Sequence, residues 1–248
     1  MPLWKLDLEY DGTDFAGWQV QPDARTVQGE LKRALEVVLR EEVRVTGAGR
    51  TDAGVHAWGQ VASIVCHGDV TAALRSVNAV LPDDVVVRSA HSAPDGFDAR
   101  RDAIRRRYRY VLHRGPTALD RRFCLALDRF PDPARMADAA ARLPGHRDFA
   151  SFASGIDPGD GTECLLERAE VRERGPFLDL EVTANRFLRK MVRTIVGTLL
   201  EVGWGSRPPE WIDDVVSSRD RRAAGPVVPP RGLFLVAVDY PESVPEGR

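Results

Sequence analysis

Two stretches of this chain run through the same order of elements, and that order limits the possible folds more than any other feature. In the first, LWKLDLEY (residues 3–10) alternates apolar and charged side chains, as a half-buried strand does. A helix follows from about Thr26, an acceptable N-cap, with Val27, Leu31, Leu35, Val38 and Leu39 on one face. VRVT and QVASIVC read as strands, residues 71–80 as a helix ended by Pro82, and DVVVRSA as a fourth strand. The order is β-α-β-β-α-β. In the second stretch, RRYRYVLH again alternates, and DPARMADAAARL places Pro133 near a helix start, where its missing N–H costs little. LERAEVRER and FLDLEVT are two strands joined by Gly175-Pro176, a hairpin signal. NRFLRKMVRTIVGTLLEVG (185–203) predicts one long helix with Gly203 at its end. Its apolar stripe is Phe187, Leu188, Met191, Val192, Ile195, Val196 and Leu199, with Arg186, Arg189, Lys190 and Arg193 largely off it. GLFLVAVDY supplies the last strand.

This pattern predicts an α+β fold of two ferredoxin-like β-α-β-β-α-β subdomains sharing mainly antiparallel sheet. No residue-level repeat accompanies it, so the duplication is one of order alone. The Pro/Gly/Asp-rich stretch SAPDGFDARRD (92–102) marks the boundary, giving an N-terminal subdomain of residues 1–100 and a C-terminal one of 101–248. The same topology underlies sheets that bind RNA. Topology is nonetheless weak ground for function.

Composition narrows the class. With 43% hydrophobic and 29% charged residues, the chain reads as a folded globular protein. It carries no signal-peptide-like run and no apolar stretch approaching the roughly 18 residues of a membrane span. Cys66, Cys124 and Cys164 are scattered and odd in number, with no C-x-x-C or paired His/Cys spacing, which argues against a disulfide framework and a zinc site. These features together predict a cytoplasmic protein without structural metal. The net charge of −2 is unevenly spread. Residues 100–114, RRDAIRRRYRYVLHR, hold seven Arg and one Asp, a local +6; residues 185–193 add +4, leaving −12 for the remainder. Such segregation fits either a positive groove on an acidic body or a solvated charged face.

The chemistry-bearing stretch is GAGRTDAGVHAWGQVA, residues 47–62, between two strands. A dinucleotide fingerprint fails there: the last glycine position is Asp52, and a strand follows instead of a helix. A phosphate loop fails for want of Lys. What remains is either a Gly-rich turn capped by Asp, or a loop presenting a carboxylate for chemistry. Asp11 and Asp14 invite a two-carboxylate hydrolase reading with Asp52, but nothing in their spacing sets an acid opposite a base, and a turn explains them. His56 could approach a phosphate or could be structural, and Trp18 reads as packing. Tyr108 and Tyr110, two apart on a strand, share a face.

Taken together, GRTDAGVHA after EYDGTDFAGWQ and before RRYRY resembles the TruA family of tRNA pseudouridine synthases. VNAVLPDDVVV, FDAR, DFASFAS, ANRFLRKMVRTIVGTLLEVG and GLFLVAVDYP extend the resemblance through nearly the whole chain; GIDPGDGTEC (155–164) carries no clear family signature. The resemblance implies the pseudouridine synthase fold, and isomerisation of uridine to pseudouridine at positions 38, 39 and 40 in the anticodon stem-loop of tRNA. It also implies a homodimer working without cofactor or metal. Asp52 is the implied nucleophile and Arg193 its ion-pairing partner, with Arg50 helping to hold the extruded nucleotide. Tyr108 is implied to stack on the target base. Two other classes compete: a catalytically silent RNA-binding module of the same fold, and a hydrolase built on carboxylate pairs.

Overall fold

The computed structural model describes residues 1–155 and 161–242. The chain is mixed α+β with mainly antiparallel sheet, and it divides into two compact units. One comprises Met1–Ile104 and the terminal stretch from Phe234; the other is Arg105–Leu233.

The first unit runs β1 (Leu3–Tyr10), α1 (Val27–Leu39), β2 (Arg44–Gly47), β3 (His56–Val65), α2 (Val70–Val80) and β4 (Val85–Ser92). The Thr26 side chain caps α1 by accepting from the Gly29 N–H, and Asp69 caps α2 in the same way at Ala72. β1 lies between β4 and β3, antiparallel to both, and β2 pairs antiparallel with β3 at residues 62–65. That is the strand order of a ferredoxin-like unit. Leu6, Leu8, Ala62, Ile64 and Val87 are buried in this unit together with Leu31 and Leu35 of α1.

β3 begins four residues earlier than the expected start at Gln60. Its pairing with β1 continues past an irregularity at Leu8/Tyr10 to bring Tyr10 opposite Ala57. The end of β3 near His56 is also occupied by the last strand, β10 (Leu233–Asp239), which pairs in parallel with Phe234 opposite His56 and Leu235 opposite Ala57. The terminal strand therefore lies with the first unit, whereas the sequence reading put all of 101–248 in the second. Strand pairing is a long-range choice that local periodicity does not record.

The second unit contains β5 (Arg105–Arg114), β6 (Leu125–Leu127), α3 (Pro133–Ala140), β7 (Gly145–Asp148), β8 (Glu163–Arg174), β9 (Phe177–Ala184), α4 (Met191–Gly203) and α5 (Trp211–Ser218). β9 lies between β5 and β8, antiparallel to both; β7 pairs with β8, and β6 runs parallel to β5. The β8–β9 hairpin turns at Gly175 and Pro176, with Gly175 at φ +60°. β6, β7 and α5 were not anticipated.

α4 is shorter than its sequence pattern. It starts at Met191, because Lys190 adopts a left-handed backbone (φ 61°) and residues 185–190 serve other contacts. Asn185 pairs with Leu165 twice: its side-chain oxygen accepts the Leu165 N–H, and its own N–H donates to the Leu165 carbonyl. Phe187 meets Tyr108 edge-on. Of the four basic residues expected on this helix, only Arg193 lies on it.

Candidate active site

The loop joining β2 to β3 carries Arg50, Thr51 and Asp52, and its shape follows from three sets of contacts. The first is a turn. The Val55 N–H donates to the Asp52 carbonyl at 3.1 Å, and Gly54 has φ +75°, the backbone region a type II turn requires at its third position. Asp52 thus opens a tight turn and is half-buried, while Arg50 is exposed.

The second is a backbone clasp from the loop after β1. The Trp18 N–H donates to the Thr51 carbonyl at 3.1 Å, and the Gly54 N–H donates to the Phe15 carbonyl at 3.3 Å, so Asp52 is held from both sides. The approach is close enough to exclude side chains: a Cβ on Gly17 (φ +103°) would stand 2.7 Å from the Thr51 oxygen. This clasp is braced by Arg25. Its guanidinium makes two 2.8 Å hydrogen bonds to the Asp84 carboxylate and lies 4.1 Å from the centre of the Phe15 ring.

The third is a buried polar network. The Tyr10 and Thr51 hydroxyls are 2.8 Å apart, and Gln60 Nε2 donates both to the Tyr10 oxygen (3.3 Å) and to the Gly49 carbonyl (2.9 Å). Burial pushes the Tyr10 hydroxyl up to about 12, with the bonds to Thr51 and Gln60 opposing it. At neutral pH Tyr10 therefore keeps its proton, and either hydroxyl of the Tyr10–Thr51 pair can donate to the other.

His56 belongs to this scaffold. It is 1% exposed, its Nδ1 accepts the Gly12 N–H at 3.0 Å, and Asp11 Oδ1 lies 3.1 Å away. Asp11 serves the turn, accepting from the N–H and hydroxyl of Thr13. Trp18 is 1% exposed and packs on Gly47 and near Tyr10, as a core residue does. Sequence reasoning missed Tyr10, Gln60, Phe15 and Arg25 as site-shaping residues, although Tyr10 and Phe15 stand in EYDGTDFAGWQ and Gln60 within GAGRTDAGVHAWGQVA.

Tyr108 and Arg193 belong to the second unit. Tyr108, opposite Val182 in the β5–β9 register, is 8% exposed, with the Phe187 ring edge-on at 5.1 Å. Arg193 is half-buried on the first turn of α4, and its Nε donates to the Val228 carbonyl at 2.8 Å. The segment carrying Val228 is itself fixed on α4, since the Gly225 N–H donates to the Thr198 hydroxyl at 3.0 Å. Tyr110 donates to the Pro229 carbonyl at 2.8 Å. Burial raises the Tyr110 pKa, and the Arg193 charge works against that rise. The second unit thus groups Arg193 with Tyr110, and Phe187 with Tyr108.

The arginine-rich strand is not a bare positive surface. Arg105 meets Glu167 at 2.7 Å, Arg109 meets Glu181 at 3.1 Å, and Arg114 meets Glu173 at 3.2 Å, all acids of β8 and β9. The +6 of residues 100–114 is therefore partly met by carboxylates from neighbouring strands. Residues 156–160 of the 155–164 loop lie outside the described residues. Among the described residues, no group of three or more His, Cys, Asp or Glu is arranged to hold a metal, and no helix is long and apolar enough to cross a membrane.

The family model described as tRNA pseudouridine synthase matches residues 8–100 and 139–241 of this chain. A protein of Alcanivorax borkumensis named tRNA pseudouridine synthase A is 44% identical over 242 residues, covering 96% of this chain and 91% of that protein. Proteins of the same name from Moorella thermoacetica and Rhizobium meliloti are 42% and 39% identical, each covering 97% of this chain and 100% of the relative.

Proposed function

Since this chain belongs to the tRNA pseudouridine synthase family, we propose that it isomerises uridine to pseudouridine at positions 38, 39 and 40 of the tRNA anticodon stem-loop, with Asp52 as nucleophile. The reaction breaks the bond from uracil N1 to ribose C1′, turns the base, and joins C5 to C1′. The proton on C5 is lost and N1 gains one, so the RNA mass is unchanged. A carboxylate that adds to an electrophilic carbon, at C6 of the base or C1′ of the sugar, divides one hard step into easier ones.

The observation that carries this reading is the clamped loop. Asp52 opens a turn whose backbone is held on one side by Trp18 and on the other by Phe15, so the backbone that carries the carboxylate needs little ordering during reaction. In this reading Arg193 pairs with the Asp52 carboxylate. Arg50, exposed and two residues away, holds the extruded nucleotide. Tyr108 stacks on the target base and relays the proton from C5. A stem uridine must leave its stack to be reached, and an aromatic platform worth roughly 1–3 kcal/mol offsets part of that cost.

The substrate is tRNA, and the working form is a homodimer in the cytoplasm. Two copies related by symmetry lengthen the RNA-binding surface, so that the tRNA elbow engages one subunit while chemistry proceeds on the other. Such an enzyme measures position by shape and tolerates neighbouring uridines. Incubation with unmodified full-length tRNA carrying uridine at 38, 39 or 40 should give pseudouridine at each site at constant RNA mass. The isolated anticodon arm should be a much poorer substrate. Binding without turnover would instead identify a silent RNA-binding module, and release of free uracil a hydrolase.

A further inference from the structure

Trp58 stands on β3 six residues beyond Asp52, and its setting is unlike that of an ordinary exposed apolar side chain. It is 39% exposed, yet its ring lies nearly parallel to Phe234, with centroids 4.1 Å apart and planes 13° apart. Phe234 in turn stacks on His56 at 4.8 Å and 25°. The lower two rings are 3% and 1% exposed, and they sit on directly paired strand positions. His56 is further fixed by the Gly12 amide. The stack His56–Phe234–Trp58 therefore has a buried, rigid base and a solvent-reaching top.

We infer that Trp58 is a stacking subsite for an unpaired nucleobase of the RNA, flanking the uridine that reaches Asp52. This rests on the reading of the chain as a tRNA-binding enzyme. Three physical points favour a nucleobase. A fixed indole offers a flat π surface without paying to order the side chain on binding, which suits sequence-tolerant stacking. Six residues of chain hold the Cα atoms of Asp52 and Trp58 within about 22 Å, the length of roughly six stacked nucleotides. The loop that carries Asp52 also carries the exposed Arg50, two residues before it, so a cation is available to the phosphates of the same strand. Because stacking needs a base outside a duplex, the occupant is a loop nucleotide.

The test measures full-length tRNA binding to the intact protein, to Trp58→Ala and to Trp58→Phe over a range of salt. We expect Trp58→Ala to weaken binding about 5- to 150-fold, and Trp58→Phe to stay within about threefold of the parent. The slope of log K against log salt should be the same in all three, because stacking releases no counterions. Acrylamide quenching supplies an arm independent of the Ala variant's folding: tRNA should shield part of the parent's indole fluorescence, and that shielded part should be missing in Trp58→Phe. Unchanged affinity in a folded Trp58→Ala protein, or no indole shielding by tRNA, would overturn the inference. So would a change of sedimentation in Trp58→Ala, which would assign the ring to contact with a second copy. Pseudouridine formation by the parent on the same tRNA is measured alongside, so failure of the subsite is distinct from failure of the proposed activity.

Discussion

The Tyr10 hydroxyl lies 2.8 Å from the Thr51 hydroxyl, one residue before Asp52, although 41 positions separate the pair in sequence. The bond is buried and Gln60 donates into it, so β1 and β3 together brace the loop at the residue before Asp52. Tyr10→Phe removes one hydroxyl and leaves Thr51 and Gln60 each short of a partner. It should cost about 1–3 kcal/mol of stability, read from the denaturant midpoint. Turnover should fall by more than the tRNA affinity, since the lost bond positions the loop and does not touch RNA. Parent-like turnover in a folded Tyr10→Phe protein would show that the loop is held adequately by its backbone clasp.

The ion pairs on β5 bear on RNA binding. Glu167 competes with RNA phosphates for the charge of Arg105. Glu167→Gln should therefore strengthen tRNA binding at low salt, and Arg105→Gln should weaken it while flattening the salt slope by up to about 0.7–0.9 in log K per log salt. The set of modified uridines should not change in either variant. If neither substitution alters affinity or slope, Arg105 and Glu167 form a purely structural pair.

Alkaline pH should destabilise this protein in a definite window. Burial pushes Tyr10 from its ordinary 10.0 up to about 12, and Cys66 and Cys164 from 9.0 up to about 11. Each group holds its proton more tightly folded than unfolded, so the unfolded chain releases protons first as pH rises. The associated stability is fully present below about pH 9 and is lost progressively between about pH 9 and 12. Denaturant midpoints measured from pH 8 to 11 should fall over the upper part of that range, and Tyr10→Phe should remove part of the decline above pH 10. A flat profile would contradict the burial of these groups.

Much of this architecture is legible in the sequence because it is local. Thr26, Asp69 and Pro133 sit at helix starts for reasons a single turn contains, and LWKLDLEY alternates because one face of its strand is buried. The α4 start was misplaced because Phe187 and Leu188 continue an apolar helical period, while Lys190 turns left-handed and Asn185 is drawn to Leu165. β6 and β7 span three and four residues, too short to show a period. The loop bearing Arg50 and Asp52 was readable from its residue types. The residues that clamp it were not, because Tyr10, Phe15 and Gln60 are ordinary strand or loop residues until the fold brings them to Thr51 and Gly54. The ion pairing of the arginine-rich strand was hidden for the same reason: its acids lie some 60 to 70 positions away, on β8 and β9.

The central claim is that the Asp52 carboxylate performs the isomerisation, and Asp52→Asn tests it most directly. The amide keeps the size of the side chain and can still accept a hydrogen bond, and the turn itself is closed by the backbone bond from Val55 to Asp52. What it loses is the charge needed for attack. Pseudouridine formation on full-length tRNA should be abolished, while tRNA binding stays within about tenfold of the parent, or about 1.4 kcal/mol. Substantial pseudouridine formation by carefully purified Asp52→Asn protein would contradict the account.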